Sequence, residues 1–251
     1  MAASSIEITE RDGVAIVRLR RPPANALDIT LLDAIEASLG ALERRADLRA
    51  MVLTGFGPVF SAGLDLKLVP TYDRAQQNLL LDVLNRALFR LYAMPVPTVA
   101  AINGHAIAGG LVLALACDKR VAVGSDALLG LTEVQVGVPF PVAAMAIVKA
   151  ELAPAVAREL VLGGRNRTST EAAILGIVDE LQPASTLLAR SEALARELAG
   201  SPRQSYGVIK RQLRRDALTE IERALAGKDP LRDNWLFEET GAAAAQVLRR
   251  G

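Results

Sequence analysis

The sequence predicts an α/β protein with parallel strands at its centre. Short, wholly apolar segments such as 50–54 and 98–102 recur in the first half, as is typical of strands buried on both faces of a sheet. Segments with the 3.6-residue spacing of amphipathic helices lie between them. This alternation favours parallel pairing, because consecutive parallel strands need a crossover connection.

The first half begins with a predicted hairpin. Segments 6–9 and 14–19 have strand composition, and Asp12-Gly13 between them is a pair that favours a tight turn. The other elements predicted in this half are a helix over 30–45, a strand over 50–54, a helix over 74–92, a strand over 98–102, a helix over 111–117 and a strand over 120–123.

Beyond Phe140 the strand candidates nearly end, and 177–181 is the single one. Helices are predicted over 141–152, 154–162, 183–199, 202–225 and 230–250. Ser201-Pro202 and Asp229-Pro230 resemble a capping residue followed by proline at the first helical position. We therefore divide the chain into a core, 1–199, and a C-terminal helical region, 200–251.

Composition narrows the function classes. The 251 residues carry 29 Lys and Arg against 28 Asp and Glu, so the strongly basic footprint of most nucleic-acid binders is missing. Cys117 is the single cysteine and His105 the single histidine, which disfavours disulfides and metal sites. No secretory leader or uninterrupted apolar span is recognised. We expect a cytoplasmic protein without a metal, a nucleic-acid partner or a membrane partner.

Two glycine-rich loops, 60–67 and 103–110, each follow a predicted buried strand. Ligands of open α/β sheets bind beyond the carboxyl ends of the strands, so both loops are candidate site loops. One interpretation is an oxyanion site, in which tight turns and the helix start at Gly109-Gly110 leave backbone N–H groups free to stabilise negative charge. The other is that the glycines only permit turns and close packing.

These loops carry a family resemblance. The segment FSAGLDLK over 60–67 resembles the FSAGxDLK segment of the enoyl-CoA hydratase/isomerase (crotonase) family, and 103–118 resembles its NGxAxGGGxxLAxxCD segment, with Ala108 in place of one glycine. The resemblance implies a crotonase-like spiral of ββα units over 1–199 and a C-terminal helical region that mediates trimerisation. It also implies an acyl-CoA thioester substrate, with coenzyme A as part of the substrate rather than a cofactor, and a homotrimer or dimer of trimers.

The resemblance further assigns roles to particular residues. The backbone N–H groups of Leu64 and Gly109 fall at the positions that form the family's oxyanion hole. Substrate or coenzyme A contacts fall on Ala24, Ala26, Ala62, Asp65, Leu66 and Lys67.

The carboxylates point to the reaction. Family hydratases carry a glutamate three residues after the donor glycine, and this chain has Val112 there. The family's second glutamate corresponds to Glu133, whose apolar sequence neighbours should raise its pKa toward that of a useful base. A single carboxylate beside an oxyanion hole suits proton removal from C2 and return to C4, as in Δ3,Δ2-enoyl-CoA isomerases, which the stretch 131–137 also resembles.

Several alternatives stay open. Besides an isomerase, the protein could be a hydratase with an unlocated carboxylate, another crotonase enzyme that hydrolyses or decarboxylates a thioester, a catalytically silent acyl-CoA-binding paralogue, or a Rossmann-type dehydrogenase. Among the remaining residues, we expect His105 to be a partly buried ring satisfied by backbone and the basic run 210–215 to be a solvated face. Arg20-Arg21-Pro22 is a candidate coenzyme A contact. The stretch 235–237, on the predicted last helix, would close the acyl pocket or pack in an interface.

Overall fold

The structure, a computed structural model, describes residues 5–124, 126–237 and 239–249. It begins with the predicted hairpin, in which β1 (Ile6–Arg11) pairs antiparallel with β2 (Val14–Leu19). The turn residues Asp12 and Gly13 have φ values of 54° and 73°, the left-handed conformation that a two-residue turn of this kind requires. The hairpin prediction is therefore confirmed.

A six-stranded sheet forms the centre of the fold. After the hairpin, the strands of this sheet are β3 (Ala50–Gly55), β5 (Thr98–Ile102), β7 (Lys119–Val123) and β10 (Glu180–Gln182). Its strand order is β1-β2-β3-β5-β7-β10, and every pairing after the hairpin is parallel. The predicted α/β class with parallel central strands is confirmed.

A second sheet has four short strands, which are β4 (Val59–Ser61), β6 (His105–Ile107), β8 (Leu128–Gly130) and β9 (Arg167–Thr168). Their order in the sheet is β4-β6-β8-β9. Strands β4 and β6 overlap the segments 60–67 and 103–110, which the sequence predicts to be loops. Strands of two or three residues are too short to display the alternation by which a strand is recognised. Each long strand β3, β5 and β7 is thus followed directly by a short strand of the second sheet, which places the ends of both candidate loops side by side.

Ten α-helices surround the sheets in the described part of the chain. They are α1 (Ile29–Glu43), α2 (Arg74–Tyr92), α3 (Gly109–Leu115), α4 (Val142–Glu151), α5 (Pro154–Gly163), α6 (Ser169–Ile174), α7 (Leu187–Leu198), α8 (Arg203–Leu213), α9 (Arg215–Arg223) and α10 (Thr240–Leu248). None of them, within the described ranges, has both the length and the apolar composition of a membrane span.

The large sheet is buried on both faces. In β3, Met51 and Leu53 join the main core beneath α1 and α2, whereas Ala50 and Val52 join a second cluster with residues of α7. This alternation explains why the strand sequence is apolar throughout rather than at every second residue.

The C-terminal part differs from the predicted helices. The segment 202–225 breaks at Arg214, where φ is −93° and ψ is 7°, so α8 and α9 are separate helices. Asp229-Pro230 does not begin a helix. Asp229 instead accepts a hydrogen bond from the Leu231 amide within a turn, and the last helix starts ten residues later than predicted, at Thr240.

The prediction that 210–215 forms a solvated face was wrong for two of its basic residues. Lys210 and Arg214 are buried, and both contact Asp118 Oδ1, at 2.8 and 3.0 Å. Arg214 also pairs with Glu151, at 3.2 Å. The cluster anchors α8 and α9 to the end of the parallel sheet. Helical spacing shows that charges share a face but not that a buried carboxylate lies opposite.

Candidate active site

The first loop presents a free backbone amide at Leu64. Leu27 lies beside it in an isolated parallel bridge: its N–H donates to the Gly63 carbonyl at 2.7 Å, and its carbonyl accepts from the Asp65 N–H at 2.9 Å. The bridge therefore uses the residues on either side of Leu64 and not Leu64 itself. Within the described residues, the Leu64 N–H has no acceptor.

The second loop presents another free amide, at Gly109. Strand β6 ends at Ile107, and Ala108 donates to the Gly130 carbonyl at 2.7 Å, which fixes the turn into α3. Ala108 adopts φ 53° and ψ −127°, a conformation in which a side chain is strained. Gly109 is the first residue of α3, so its N–H has no partner inside the helix, and none is found elsewhere in the described chain.

The two loops are in close contact. A Cβ placed on Gly63 would lie 2.8 Å from the Ala108 Cβ and 3.1 Å from the Gly109 nitrogen. Gly63 has φ +76°, so both its conformation and its surroundings require glycine. This contact brings the amides of Leu64 and Gly109 to the same cavity.

The cavity encloses about 140 Å³, and both amide-bearing residues line it. Leucines of α1 and α2, Val112 of α3, Ala144 of α4 and Val247 of α10 form much of the remaining wall. Thr132 and Glu133 contribute the only polar side chains among the lining residues that the structure describes. The site is therefore an apolar chamber with two backbone donors and one carboxylate.

Glu133 begins a short 3₁₀ turn, Glu133–Val136, and is only 7% exposed. Its Oε2 atom is buried and has no hydrogen-bond partner in the described part of the protein. Removal from water disfavours the ionised carboxylate, and burial raises the pKa of Glu133 to about 8. A carboxyl group with such a pKa holds a proton near neutrality and releases it readily, as general acid–base catalysis requires.

Val112, at the position where family hydratases carry a glutamate, is fully buried and lines the same cavity. A valine side chain offers water neither a donor nor an acceptor. Glu133 is consequently the single carboxylate among the described lining residues.

The six residues assigned to substrate or coenzyme A contacts lie on two neighbouring segments. The Ala62 amide donates to the Ala24 carbonyl at 3.0 Å, so 24–28 and 61–67 run side by side. Ala62 and Leu66 line the cavity, and Lys67 is exposed at the surface. Their roles in substrate or coenzyme A binding stay predictions.

Two other expectations, for His105 and for the stretch 235–237, concern residues outside the site loops or at their edge. The predicted hydrogen bond between the His105 ring and the backbone is confirmed, because the Leu128 N–H donates to its Nδ1 at 2.9 Å. The ring is exposed, however, and not partly buried as predicted. Trp235 precedes the last helix; it is buried within this chain, and its indole N–H donates to the Pro139 carbonyl at 2.8 Å. Val247, which the sequence analysis missed, lines the cavity instead. Nothing in its local pattern distinguishes it from an ordinary apolar helix residue.

The fold and this pair of loops can be compared with known proteins. The family model described as enoyl-CoA hydratase/isomerase matches residues 9–241. The structure superposes on human mitochondrial Δ3-Δ2-enoyl-CoA isomerase with a TM-score of 0.85 at 26% identity, covering 98% of this chain and 97% of that one. The architecture is that of the crotonase superfamily.

Two further relatives agree. A putative enoyl-CoA hydratase of Thermus thermophilus is 38% identical over 208 residues, 81% of each protein. A probable enoyl-CoA hydratase, EchA3, of Mycobacterium tuberculosis has a TM-score of 0.83 at 30% identity, with 89% of this chain and 94% of that chain covered. The chain belongs to the enoyl-CoA hydratase/isomerase family, and the family resemblance drawn from 60–67 and 103–118 is confirmed.

Proposed function

We propose that the protein is an enoyl-CoA isomerase that converts a 3-enoyl-CoA thioester into the 2-enoyl-CoA thioester. The observation that carries this proposal is the buried Glu133, the single carboxylate among the described residues that line the cavity, together with the two free backbone amides there. The 26%-identical human neighbour is named as an isomerase of this kind, which supports the same reaction class.

The two amides would bind the thioester carbonyl. When a proton leaves C2, negative charge moves onto the carbonyl oxygen, and the Leu64 and Gly109 N–H groups would stabilise it by hydrogen bonding. Donors of this kind are fixed in the fold before the reaction, so they need no reorganisation as charge develops.

Glu133 would move the proton. Its carboxylate takes the proton from C2, and the electron pair delocalises over C2, C3 and C4 and the carbonyl oxygen. The protonated side chain then returns a proton to C4, and the double bond moves from C3–C4 to C2–C3. The substrate neither gains nor loses an atom, and Glu133 ends in its starting state.

Hydration is the second candidate, because relatives such as the Thermus protein are named hydratases. Adding water requires a group that holds and activates a water molecule beside the double bond. Val112 supplies neither function, and it makes the wall apolar where family hydratases have a carboxylate. The lining thus favours isomerisation.

The proposal is tested by giving the purified protein 3-hexenoyl-CoA and, separately, crotonyl-CoA. We expect the first to become conjugated, seen as a rise in ultraviolet absorbance, and hydration of the second to be at least about 100-fold slower, because general acid–base assistance by a positioned group contributes about that much or more. Fast hydration would contradict the proposal. Binding of both esters without exchange of C2 protons in heavy water would instead indicate a silent paralogue.

The pKa of Glu133 gives a pH prediction. The ionised form is the base, so it is lost as pH falls below the raised pKa of about 8. We expect kcat/KM for isomerisation to fall about tenfold per pH unit below that value and to level off above it, since this parameter reports ionisation of the free enzyme. A pH titration of initial rates would measure it. A profile that stays level down to the ordinary glutamate pKa of 4.5 would contradict a buried, unpaired base.

A further inference from the structure

The guanidinium of Arg21 joins the two segments that flank the Leu64 amide. Its Nη2 atom lies 2.7 Å from Asp65 Oδ2 and 3.1 Å from Asp28 Oδ2, and its Nη1 donates to the Ala26 carbonyl at 3.0 Å. The side chains of Asp65 and Asp28 are 14% and 11% exposed, and that of Arg21 is 27% exposed. These contacts are therefore shielded from water more than an ordinary surface ion pair.

Arg21 contacts residues directly beside the bridge that frees the Leu64 N–H. Asp65 follows Leu64, and Ala26 and Asp28 precede and follow Leu27. The bridge itself consists of two backbone hydrogen bonds, from Leu27 to Gly63 and from Asp65 to Leu27. Arg21 thus fixes both sides of the bridge, while the Leu64 amide has no hydrogen bond of its own within the described residues to hold it.

We propose that Arg21 is a positioning residue, which acts through Asp65 to keep the Leu64 amide aimed at the substrate carbonyl beside Gly109. This inference rests on the proposed function in one respect, because it takes the ligand to be an acyl thioester. The guanidinium faces two carboxylates and one carbonyl, so the cluster carries a net negative charge. A net negative charge repels phosphate, so the cluster disfavours the sequence-based expectation that Arg21 contacts the phosphates of coenzyme A.

The experiment compares two ligands that differ only in the carbonyl: hexanoyl-CoA, a thioester, and hexyl-CoA, the thioether. The Arg21→Met variant removes the guanidinium and keeps an unbranched side chain. We expect it to weaken hexanoyl-CoA binding at least about fivefold and to leave the Kd of the thioether within about twofold of wild type. The reason is that the Leu64 N–H can donate a hydrogen bond only to a ligand that has a carbonyl oxygen. We expect kcat on 3-hexenoyl-CoA to fall about 10- to 100-fold, because a displacement near 1 Å can cost that much.

Arg86→Met is the matched control. Arg86, on α2, also contacts two carboxylates, Glu36 at 3.3 Å and Asp33 at 3.6 Å, but its side chain is 40% exposed and does not line the cavity. Its replacement removes the same charge away from the two site loops, so both Kd values and kcat should change less than about twofold, as expected for an exposed residue. Arg21→Lys should show part of the loss, because an ammonium cannot reproduce the planar fork of donors.

The outcomes separate the possibilities. Equal weakening of both ligands by Arg21→Met would overturn the proposal and indicate a phosphate contact, and unchanged binding and kcat would indicate a structural ion pair only. Should Arg21→Met fail to fold, Asp65→Asn tests the same link and should give the same selective loss for the thioester, at smaller magnitude. A wild-type protein that binds hexanoyl-CoA but isomerises nothing would refute the proposed function, while the binding comparison would still decide the role of Arg21.

Discussion

Replacement of Glu133 by glutamine should lower kcat for conversion of 3-hexenoyl-CoA to 2-hexenoyl-CoA by about 10²- to 10⁴-fold, the contribution typical of a positioned general acid–base group. Glutamine matches the shape of glutamate but cannot accept the C2 proton. Because Oε2 has no hydrogen-bond partner in the described structure, the substitution breaks no contact of that atom. Substrate binding and folding should therefore stay near wild type.

The measurement is a single-turnover rate with a separate Kd for hexanoyl-CoA. Glu220→Gln is the matched control, since Glu220 is a half-exposed residue that contacts Lys149 at 3.4 Å and does not line the cavity. It makes the same chemical change and should alter the rate less than about twofold, as surface substitutions usually do. Isomerisation by Glu133→Gln at the wild-type rate would remove Glu133 from the mechanism.

Much of the fold could be predicted from local patterns, and the exceptions have physical causes. Local sequence patterns predicted the hairpin, α1, α2 and the parallel strands, because their hydrophobic patterns are long or are bounded by clear turn residues. The strands β4 and β6 have three residues each, and their pairing is decided by neighbours distant in sequence. The misplaced last helix shows the limit of a capping signal: Asp229 makes a capping-like bond to Leu231, but the chain turns instead of continuing as a helix.

The candidate site was only partly predictable. The glycine pattern after two predicted strands identified both loops, and the family resemblance added Glu133. The apolar sequence neighbours of Glu133 predicted its raised pKa. Which amides are free could not be read from residue types, because the Leu64 N–H is left unpaired by a bridge to Leu27, 37 residues earlier in the sequence. The same holds for Arg21 and for Lys210: a sequence displays their charge, whereas their partners are set by tertiary packing.

The geometry of the two amides should be most sensitive to Gly63→Ala. The added methyl group would lie 2.8 Å from both the Ala108 Cβ and the Ile107 carbonyl oxygen, distances that real Cβ atoms do not adopt, so the loops must separate. Separation moves the Leu64 amide away from Gly109. Because loss of one oxyanion donor lowers kcat by about 10²- to 10³-fold, we expect a decrease of that order in isomerisation.

Gly57→Ala distinguishes this steric effect from backbone strain. Gly57 has φ +77°, nearly that of Gly63, but a Cβ there meets nothing within 4 Å. Both variants should lose about 1–2 kcal/mol in the free energy of unfolding, the cost of a left-handed conformation for a residue with a side chain, and Gly63→Ala should lose more because of its contacts. Only Gly63→Ala should lose activity in kinetic assays at a temperature where both are folded. Equal activity of the two variants would mean that the contact between the loops does not set the position of the amides, and the oxyanion site would then have to be sought elsewhere.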